Sequence, residues 1–181
     1  MKTLNLPEGV IISDLKPIRD DRGYFMEAFK EEWTVGFKAK QWNIVYSNPG
    51  ALRGMRLHHT HSDYVVLFKG KAIYALLDLR AGSPTENKLA MVDLDGSKPR
   101  SVIIPPGVAH GFYFFEESYY VYCVTHYYDP DDEFGFKFDD PDANIPWPSK
   151  EVILTERDKD LPTLKEAVKR VPSWDDLYGS K

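Results

Sequence analysis

The segment from Leu52 to Tyr64 is the part of the chain richest in side chains that do chemistry. Its sequence, Leu-Arg-Gly-Met-Arg-Leu-His-His-Thr-His-Ser-Asp-Tyr, contains three of the five histidines, two arginines and one aspartate. Imidazole and carboxylate groups transfer protons or bind metal ions. The run from Val65 to Asp78 that follows is rich in the apolar residues typical of strands. The sequence therefore predicts a proton-transfer site or a metal site held by β-structure.

The segments that must position these side chains are short and apolar. Breaks rich in Gly, Pro, Ser and Asp separate them at a spacing of roughly ten residues, which is typical of an all-β sandwich or barrel. We predict central strands at residues 64–69, 71–79, 88–94, 101–104, 111–115 and 118–126. Upstream, the pattern predicts a lead-in strand within residues 1–20 and strands at 24–29 and 37–47. Because side chains alternate along a strand, Gln41 and Asn43 share one face of the last of these.

Helix is indicated only near the C-terminus. Leu161, Leu164, Val168 and Val171 recur at helical spacing, and Pro172 would end the helix.

Composition narrows the classes of function. A length of 181 residues suits one domain, and the net charge of −5 makes a general nucleic-acid partner unexpected. No apolar stretch reaches the ~18 residues of a membrane span, and the N-terminus does not read as a signal peptide. Cys123 is the single cysteine, so no intramolecular disulfide forms. We expect a cytoplasmic protein that does not act on nucleic acid or membrane.

Several segments, in this order and spacing, carry a family resemblance. They are Asp21-Arg-Gly-Tyr-Phe-Met-Glu-Ala-Phe29, Leu52-Arg-Gly54, Ile104-Pro-Pro-Gly-Val-Ala-His-Gly-Phe112, Tyr127-Tyr-Asp-Pro130 and Phe138-Asp-Asp-Pro-Asp-Ala-Asn-Ile-Pro-Trp-Pro148. Over residues 8–162 the chain resembles the dTDP-4-dehydrorhamnose 3,5-epimerases, enzymes of dTDP-rhamnose biosynthesis. The resemblance implies a cupin double-stranded β-helix, or jelly roll, which we assign to residues 1–162. Residues 163–181 lie beyond the resemblance, and we predict that they form a C-terminal helical tail.

The resemblance also implies partners and a reaction. The protein would form a homodimer with exchanged strands and act, without metal or other cofactor, on a nucleotide-diphosphate 4-keto-6-deoxysugar that is dTDP-linked. The C4 ketone acidifies the neighbouring ring carbons. A base removes a proton on one face, an acid returns one on the other, and the enolate oxygen needs a positive or hydrogen-bonding partner.

Site residues follow by matching the motifs of that family. His110 matches its active-site histidine, Tyr128 its proton-donor tyrosine and Asp158 the aspartate that orients the base. Arg22 and Arg53 match arginines that meet the diphosphate. The predicted substrate-binding residues are Arg22, Phe25, Glu27, Gln41, Asn43, Arg53, Arg56, His61, Asp63 and Arg157. Of these, Phe25 and Glu27 are expected to come from the dimer partner.

The segment at Leu52 departs from the family pattern. The family has Leu-Arg-Gly-Leu-His there, with the histidine as base, whereas this chain has arginine at position 56, which does not give up its proton near neutral pH. A family lysine is replaced by Asp63. We predict that a strand bend near residues 59–60 directs His58, His61 and Asp63 into one barrel mouth. His58 then replaces the base by pairing with Asp158, or His61 acts beside Asp63.

Three other interpretations stay open. The glycine spacing is similar to that of cupin ketoisomerases with Arg-Gly-x-His-x-His, of which this chain keeps only the second histidine. The loss of the usual base would suit a non-catalytic nucleotide-sugar-binding cupin. A metal-dependent cupin enzyme would use His59, His61 and His110 as ligands.

Overall fold

The computed structural model of the protein describes residues 5–34 and 36–179. Residues 1–4, which belong to the predicted lead-in strand, and residues 180–181, at the end of the predicted helical tail, lie outside the described residues.

Twelve strands form within these ranges. They are β1 Ile11–Asp14, β2 Ile18–Asp20, β3 Gly23–Phe25, β4 Gln41–Ser47, β5 Leu52–Leu57, β6 Asp63–Lys69, β7 Lys71–Asp78, β8 Leu89–Asp95, β9 Arg100–Ile104, β10 Val108–Phe114, β11 Ser118–Val124 and β12 Phe134–Gly135. One five-stranded sheet has the order β1-β9-β6-β11-β4, a second has the order β12-β5-β10-β7-β8, and β2 and β3 form a separate hairpin. The all-β jelly roll prediction is confirmed, and the six central strands differ from their predicted bounds by three residues or fewer.

The main core lies between the inward faces of the two sheets. Along β7, Tyr74 and Leu76 alternate into this core. The opposite face of the strand, with Ala75 and Leu77, packs in a second cluster that contains Ala167 from the C-terminal segment. Burial of both faces explains why the sequence of β7 is almost continuously apolar.

At one end of the sandwich, the inward positions become polar. In β10, Val108 and Phe112 belong to the core, and His110 lies between them on the same face. In β6, Val65 belongs to the core and Asp63 precedes it on the same face. Because alternate residues share a face, regular strand geometry directs both polar side chains into the interior.

The C-terminal segment forms short helices: α1 Glu156–Lys159, α2 Leu164–Ala167, a 3₁₀ turn at Val168–Arg170, and α3 Trp174–Tyr178. The helix predicted from Leu161 begins only at Leu164, because Thr163 is its N-cap and forms a capping box with Glu166. None of the helices in the described part of the chain is long and apolar enough to cross a membrane.

The last helix is tied to the sandwich through Arg80. This side chain is fully buried, and its Nε donates to Asp78 Oδ1 at 2.8 Å. Its guanidinium lies 4.9 Å from the ring of Trp174, a cation–π contact. The boundary predicted between residues 162 and 163 stays a prediction.

Two predicted strands are shorter than expected. The strand predicted at 24–29 covers only Gly23–Phe25, and the one predicted at 37–47 begins at Gln41. Between them Phe29 and Phe37 pack on Tyr64, with ring centroids 5.1 and 5.9 Å from it. The aromatic residues in this region therefore bind a loop to the sheet surface instead of extending a strand.

Candidate functional site

A cavity of about 290 Å³ opens at the polar end of the sandwich. Eleven of the predicted site residues line it: Gln41, Asn43, Arg53, Arg56, His58, His61, Asp63, His110, Tyr128, Arg157 and Asp158. They come from β4, β5, β6, β10, α1 and the connecting loops. The structure thus brings together residues that lie more than a hundred positions apart in the chain.

The loop after β5 sets the direction of the histidines. Strand β5 ends at Leu57, and β6 begins at Asp63, so the chain turns between them as predicted. His58 and His61 line the cavity. His59 instead stacks on Phe134 with centroids 4.1 Å apart and does not line the cavity. The metal set of His59, His61 and His110 is therefore wrong, because the turn directs His59 to a different neighbour.

His61 forms a histidine–aspartate pair with a residue that was not predicted. Its Nδ1 donates to Asp132 Oδ2 at 2.8 Å, and both side chains are buried. Asp132 also accepts hydrogen bonds from Thr60 Oγ1 at 2.7 Å and from the backbone N–H of His59. Burial by itself would raise the pKa of Asp132. The hydrogen bonds that it accepts have the larger combined effect, so its pKa lies below the ordinary carboxyl value. Asp132 is therefore an ionised carboxylate that orients the His61 ring.

His58, Asp63 and His110 meet at the inner end of the cavity. Asp63 Oδ2 lies 3.6 Å from His58 Nε2 and 3.7 Å from His110 Nε2. The other ring nitrogens face backbone carbonyls, since His58 Nδ1 is 3.2 Å from the oxygen of Asp132 and His110 Nδ1 is 3.2 Å from that of Val108.

Burial governs the protonation of these three side chains. It lowers the pKa of His58 well below the ordinary value, with further lowering from His110 and His61. Burial lowers the pKa of His110 to about 4. It raises the pKa of Asp63 well above the ordinary carboxyl value, and the nearby carboxylates of Glu133 and Asp132 add to the effect. Both imidazoles are therefore neutral near neutral pH.

Arg56 pairs with Asp158, the residue that was predicted to pair with His58. Its Nη2 forms an ion pair with Asp158 Oδ1, and the Asp158 side chain is 2% exposed. The predicted pairing of His58 with Asp158 is wrong, because the guanidinium of Arg56 occupies that carboxylate. Thr155 Oγ1 donates to the other oxygen of Asp158 at 2.8 Å. Asp158 is therefore held by Arg56 and by the first turn of α1.

Polar residues at the cavity opening form a second group. Arg53 Nε donates to Ser47 Oγ at 2.9 Å. Gln41 Nε2 donates to Asn43 Oδ1 at 3.0 Å, and Gln41 Oε1 accepts from the backbone N–H of Tyr128, also at 3.0 Å. The Tyr128 side chain itself is exposed. These contacts fix the strand and loop positions while leaving the tyrosine hydroxyl accessible.

Arg157 also lines the cavity, and 45% of its side chain is exposed. Its Nη2 donates to the backbone oxygen of Glu133 at 3.0 Å.

Three predicted residues do not reach the cavity within one chain. Arg22 sits in the β2–β3 turn and pairs with Asp20 at 2.7 Å, with 90% of its side chain exposed. Phe25 is 64% exposed, and Glu27 pairs with Lys30 at 2.9 Å. Their predicted contribution to the site of a partner chain stays a prediction.

Besides Asp132, which holds the His61 ring, sequence reasoning missed several residues of the cavity wall. Glu133, Tyr74, Tyr120, Tyr122 and His126 all line the cavity. Tyr120 and Tyr122 could have been found, because they alternate on one face of a predicted strand. Glu133 and Asp132 lie in an acidic loop whose position depends on tertiary contacts.

Comparison with known proteins gives a consistent match. Residues 4–166 match the family model described as dTDP-4-dehydrorhamnose 3,5-epimerase. The enzyme of that name from Methanothermobacter thermautotrophicus is 32% identical over 169 residues, covering 88% of this chain and 91% of the relative.

Two solved structures are similar along nearly their whole length. A 3′-monoepimerase from Streptomyces bikiniensis in complex with dTDP-quinovose superposes with a TM-score of 0.87 at 28% identity, covering 98% of this chain and 95% of that chain. The dTDP-6-deoxy-D-glucose-3,5-epimerase from Legionella pneumophila, in complex with dTDP-4-keto-L-rhamnose, has a TM-score of 0.83 at 30% identity, covering 91% and 93%. The likeness therefore extends to single and double epimerases.

Proposed function

This chain belongs to the dTDP-4-dehydrorhamnose 3,5-epimerase family, and from that membership we propose that it epimerises a dTDP-linked 4-keto-6-deoxyhexose. The reaction exchanges a proton at a ring carbon next to the C4 ketone. The observation that carries the proposal is His61, which lines the cavity and donates a hydrogen bond to Asp132 behind it. This pair supplies a carboxylate-oriented imidazole, which the arginine at position 56 cannot provide. Solved relatives with bound dTDP-sugars support the substrate class.

The arginines of the cavity wall suit a diphosphate. Arg53 and Arg157 each line the cavity, and guanidinium groups bind phosphate oxygens through paired hydrogen bonds. Gln41 and Asn43 on β4 offer amide groups for the nucleotide or sugar. The overall charge of −5 does not oppose this, since binding depends on the local cations.

The proton transfer is assigned to His61 and Tyr128. With Nδ1–H donating to Asp132, the Nε2 of His61 carries the lone pair that accepts the ring proton, and the carboxylate stabilises the imidazolium that results. Tyr128 at the opening returns a proton to the opposite face. His58 and His110 form the inner wall against which the carbonyl side of the sugar lies.

Proton exchange tests this function directly. The protein is incubated in heavy water with dTDP-4-keto-6-deoxyglucose. We expect deuterium to enter the sugar ring at C3, C5 or both, and mass spectrometry and NMR measure its incorporation. Asp132→Asn and His61→Asn should each lower the exchange rate by about 10²–10⁴-fold, the usual contribution of a general base. His59→Asn is the matched control and should leave the rate unchanged, because that ring stacks on Phe134 outside the cavity.

Two results would contradict the proposal. Exchange that persists in His61→Asn would remove the assigned base. No exchange in the wild type, with dTDP binding intact by calorimetry, would instead favour a nucleotide-sugar-binding protein without turnover.

We also propose that the protein is a homodimer with exchanged strands. Its support is a set of large apolar side chains exposed on β2, β3 and β4: Ile18, Tyr24, Phe25, Trp42, Ile44 and Tyr46. Exposed apolar patches of this kind mark interaction surfaces. In a dimer, the β2–β3 hairpin and the loop that follows it would carry Arg22, Phe25 and Glu27 to the cavity of the partner.

A further inference from the structure

We infer that His58, Asp63 and His110 form a binding site for one first-row divalent cation at the inner end of the cavity. Asp63 Oδ2 is 3.6 and 3.7 Å from the two Nε2 atoms. These separations are too long for hydrogen bonds, which span about 2.7–3.2 Å. Two metal–ligand bonds of about 2.0–2.1 Å at a tetrahedral angle would place their outer atoms about 3.4 Å apart. The ligand atoms of all three residues lie within 4.8 Å of one another, so a single ion placed among them could be bound by all three after small side-chain shifts.

Both imidazoles are oriented as metal ligands. A backbone carbonyl only accepts hydrogen bonds, so the Nδ1 atoms that face the carbonyls of Asp132 and Val108 carry the hydrogens. The Nε2 lone pairs of His58 and His110 then point toward Asp63. A hydrogen bond from the second ring nitrogen to a carbonyl is how proteins fix ligating histidines.

The neighbouring arginines pair with other carboxylates, so the Asp63 carboxylate remains available to bind a cation. The guanidinium of Arg56 is paired with Asp158, and that of Arg157 lies 3.4 Å from a carboxylate oxygen of Glu133. Among the described residues, no side-chain donor forms a hydrogen bond or ion pair with Asp63 other than the two long histidine contacts. A carboxylate that is 4% exposed and has no closer partner is stabilised by a cation held between it and the histidines.

Tyr74 provides an independent indication of a ligand here. Its side chain is fully buried and lines the same cavity, and its hydroxyl has no hydrogen-bond partner within the described residues. Its ring lies 6.0 Å from that of His110. Buried hydroxyls normally have partners. A water or substrate oxygen on the open side of an ion would give this hydroxyl an acceptor.

A second set of three potential ligands, His58, His61 and Asp132, is a poorer site. The 2.8 Å contact between His61 and Asp132 is already a hydrogen bond, and Asp132 also binds Thr60 and the backbone of His59. An ion there would have to break this network. The structure therefore supports one cation, bound at Asp63, with His61 left free to act as a base.

The donor set indicates the kind of ion. Two imidazole nitrogens and one carboxylate favour Mn²⁺, Fe²⁺, Co²⁺, Ni²⁺ or Zn²⁺ over Mg²⁺ and Ca²⁺, and they leave coordination positions open. A cation at this wall would polarise the C4 carbonyl and stabilise the enolate oxygen. That role, unlike the site itself, rests on the proposed function.

Cobalt binding tests the site without requiring turnover. Untagged protein is treated with EDTA, dialysed and titrated with Co²⁺, and binding is followed by visible absorption and calorimetry. We expect one saturable equivalent. Asp63→Asn and His110→Gln should weaken binding by about 100-fold or more, since even indirect partners of a metal change its affinity 10–100-fold. His59→Asn is the matched histidine control and should bind as the wild type does, because that ring lies outside the cavity.

A second measurement keeps the test decisive if a variant fails to fold. X-ray absorption of Co²⁺ bound to the wild-type protein should report two imidazole ligands. No saturable binding, absence of imidazole from the coordination shell, or an equal loss with His59→Asn would overturn the site.

Proton exchange then separates the role of the ion from the proposed reaction. Exchange that rises when Co²⁺ or Zn²⁺ is restored to EDTA-treated protein supports the role. Equal exchange with and without metal overturns the role while leaving the epimerase proposal intact. Bound metal with no exchange in any form contradicts the epimerase proposal and leaves the site standing.

Discussion

At the scale of single residues, the substitution at position 56 reorganises the site. An arginine there pairs with Asp158, whose carboxylate would otherwise orient a histidine. In the proposed mechanism, the role of oriented base moves to a neighbouring loop, where His61 donates a hydrogen bond to Asp132. The same residue types thus remain in the cavity, but in a different pairing.

This pairing has a measurable consequence for stability. Arg56→Met should lower the free energy of unfolding by about 2–4 kcal/mol, because it leaves the carboxylate of Asp158 buried without its cation. The double variant Arg56→Met/Asp158→Asn should regain more than half of that loss, since neither charge remains buried. Urea unfolding of the single and double variants gives the coupling. A single variant as stable as the wild type would show that the ion pair is not formed in solution.

At the scale of elements, two strands approach closely beside the site. A side chain at Gly54 in β5 would place its Cβ 2.6 Å from the Cα of Gly111 and 2.8 Å from the backbone oxygen of His110. The contact lies in the antiparallel pair of β5 and β10, where the register shifts between His110 and Phe112. Glycine at position 54 therefore allows the strand carrying Arg53 and Arg56 to lie against the strand carrying His110.

Gly54→Ala should be strongly destabilising. The new Cβ meets backbone atoms that have no rotamer to relieve the clash, and the φ angle of +130° is itself unfavourable for alanine. Gly50→Ala is the matched control, because Gly50 has a φ angle of +77° but nothing within 4 Å of an added Cβ. Gly50→Ala should lower the free energy of unfolding by about 1–2 kcal/mol. Gly54→Ala should lower it by at least about 2 kcal/mol more. Equal urea midpoints for the two variants would refute the close approach.

At the scale of the whole molecule, the exposed apolar face of the edge strand β4 bears on the proposed dimer. Ile44 is 78% exposed in the middle of β4, between Trp42 at 47% and Tyr46 at 43%. The three alternate along the outward face of a strand at the sheet edge. The inward face of the same strand carries Gln41 and Asn43 to the cavity, so the proposed assembly and the proposed substrate binding would use opposite faces of one element.

Ile44→Asp should therefore convert the dimer to a monomer in light scattering, because a charge would be buried in the interface. If the partner contributes Arg22, Phe25 and Glu27, proton exchange should fall as well. Ile153→Asp is the control, since Ile153 is also exposed, at 58%, but lies outside β4. A monomeric wild-type protein, or a dimer unaffected by Ile44→Asp, would contradict the proposed interface.

The sequence by itself determined the fold class, the six central strands and the family. Strand periodicity and turn residues are local signals, and the family motifs lie in short continuous segments. It also placed Gln41 and Asn43 on one strand face and identified half of the residues that line the cavity.

Tertiary structure alone decided which side chains pair. His61 with Asp132 and Arg56 with Asp158 join residues 71 and 102 positions apart. No local pattern specifies such contacts, because they depend on where the acidic loop and α1 pack against the barrel mouth. The direction of His59 away from the cavity, and the meeting of His58 with Asp63 and His110, follow from the turn after β5 and from the inward faces of two different sheets.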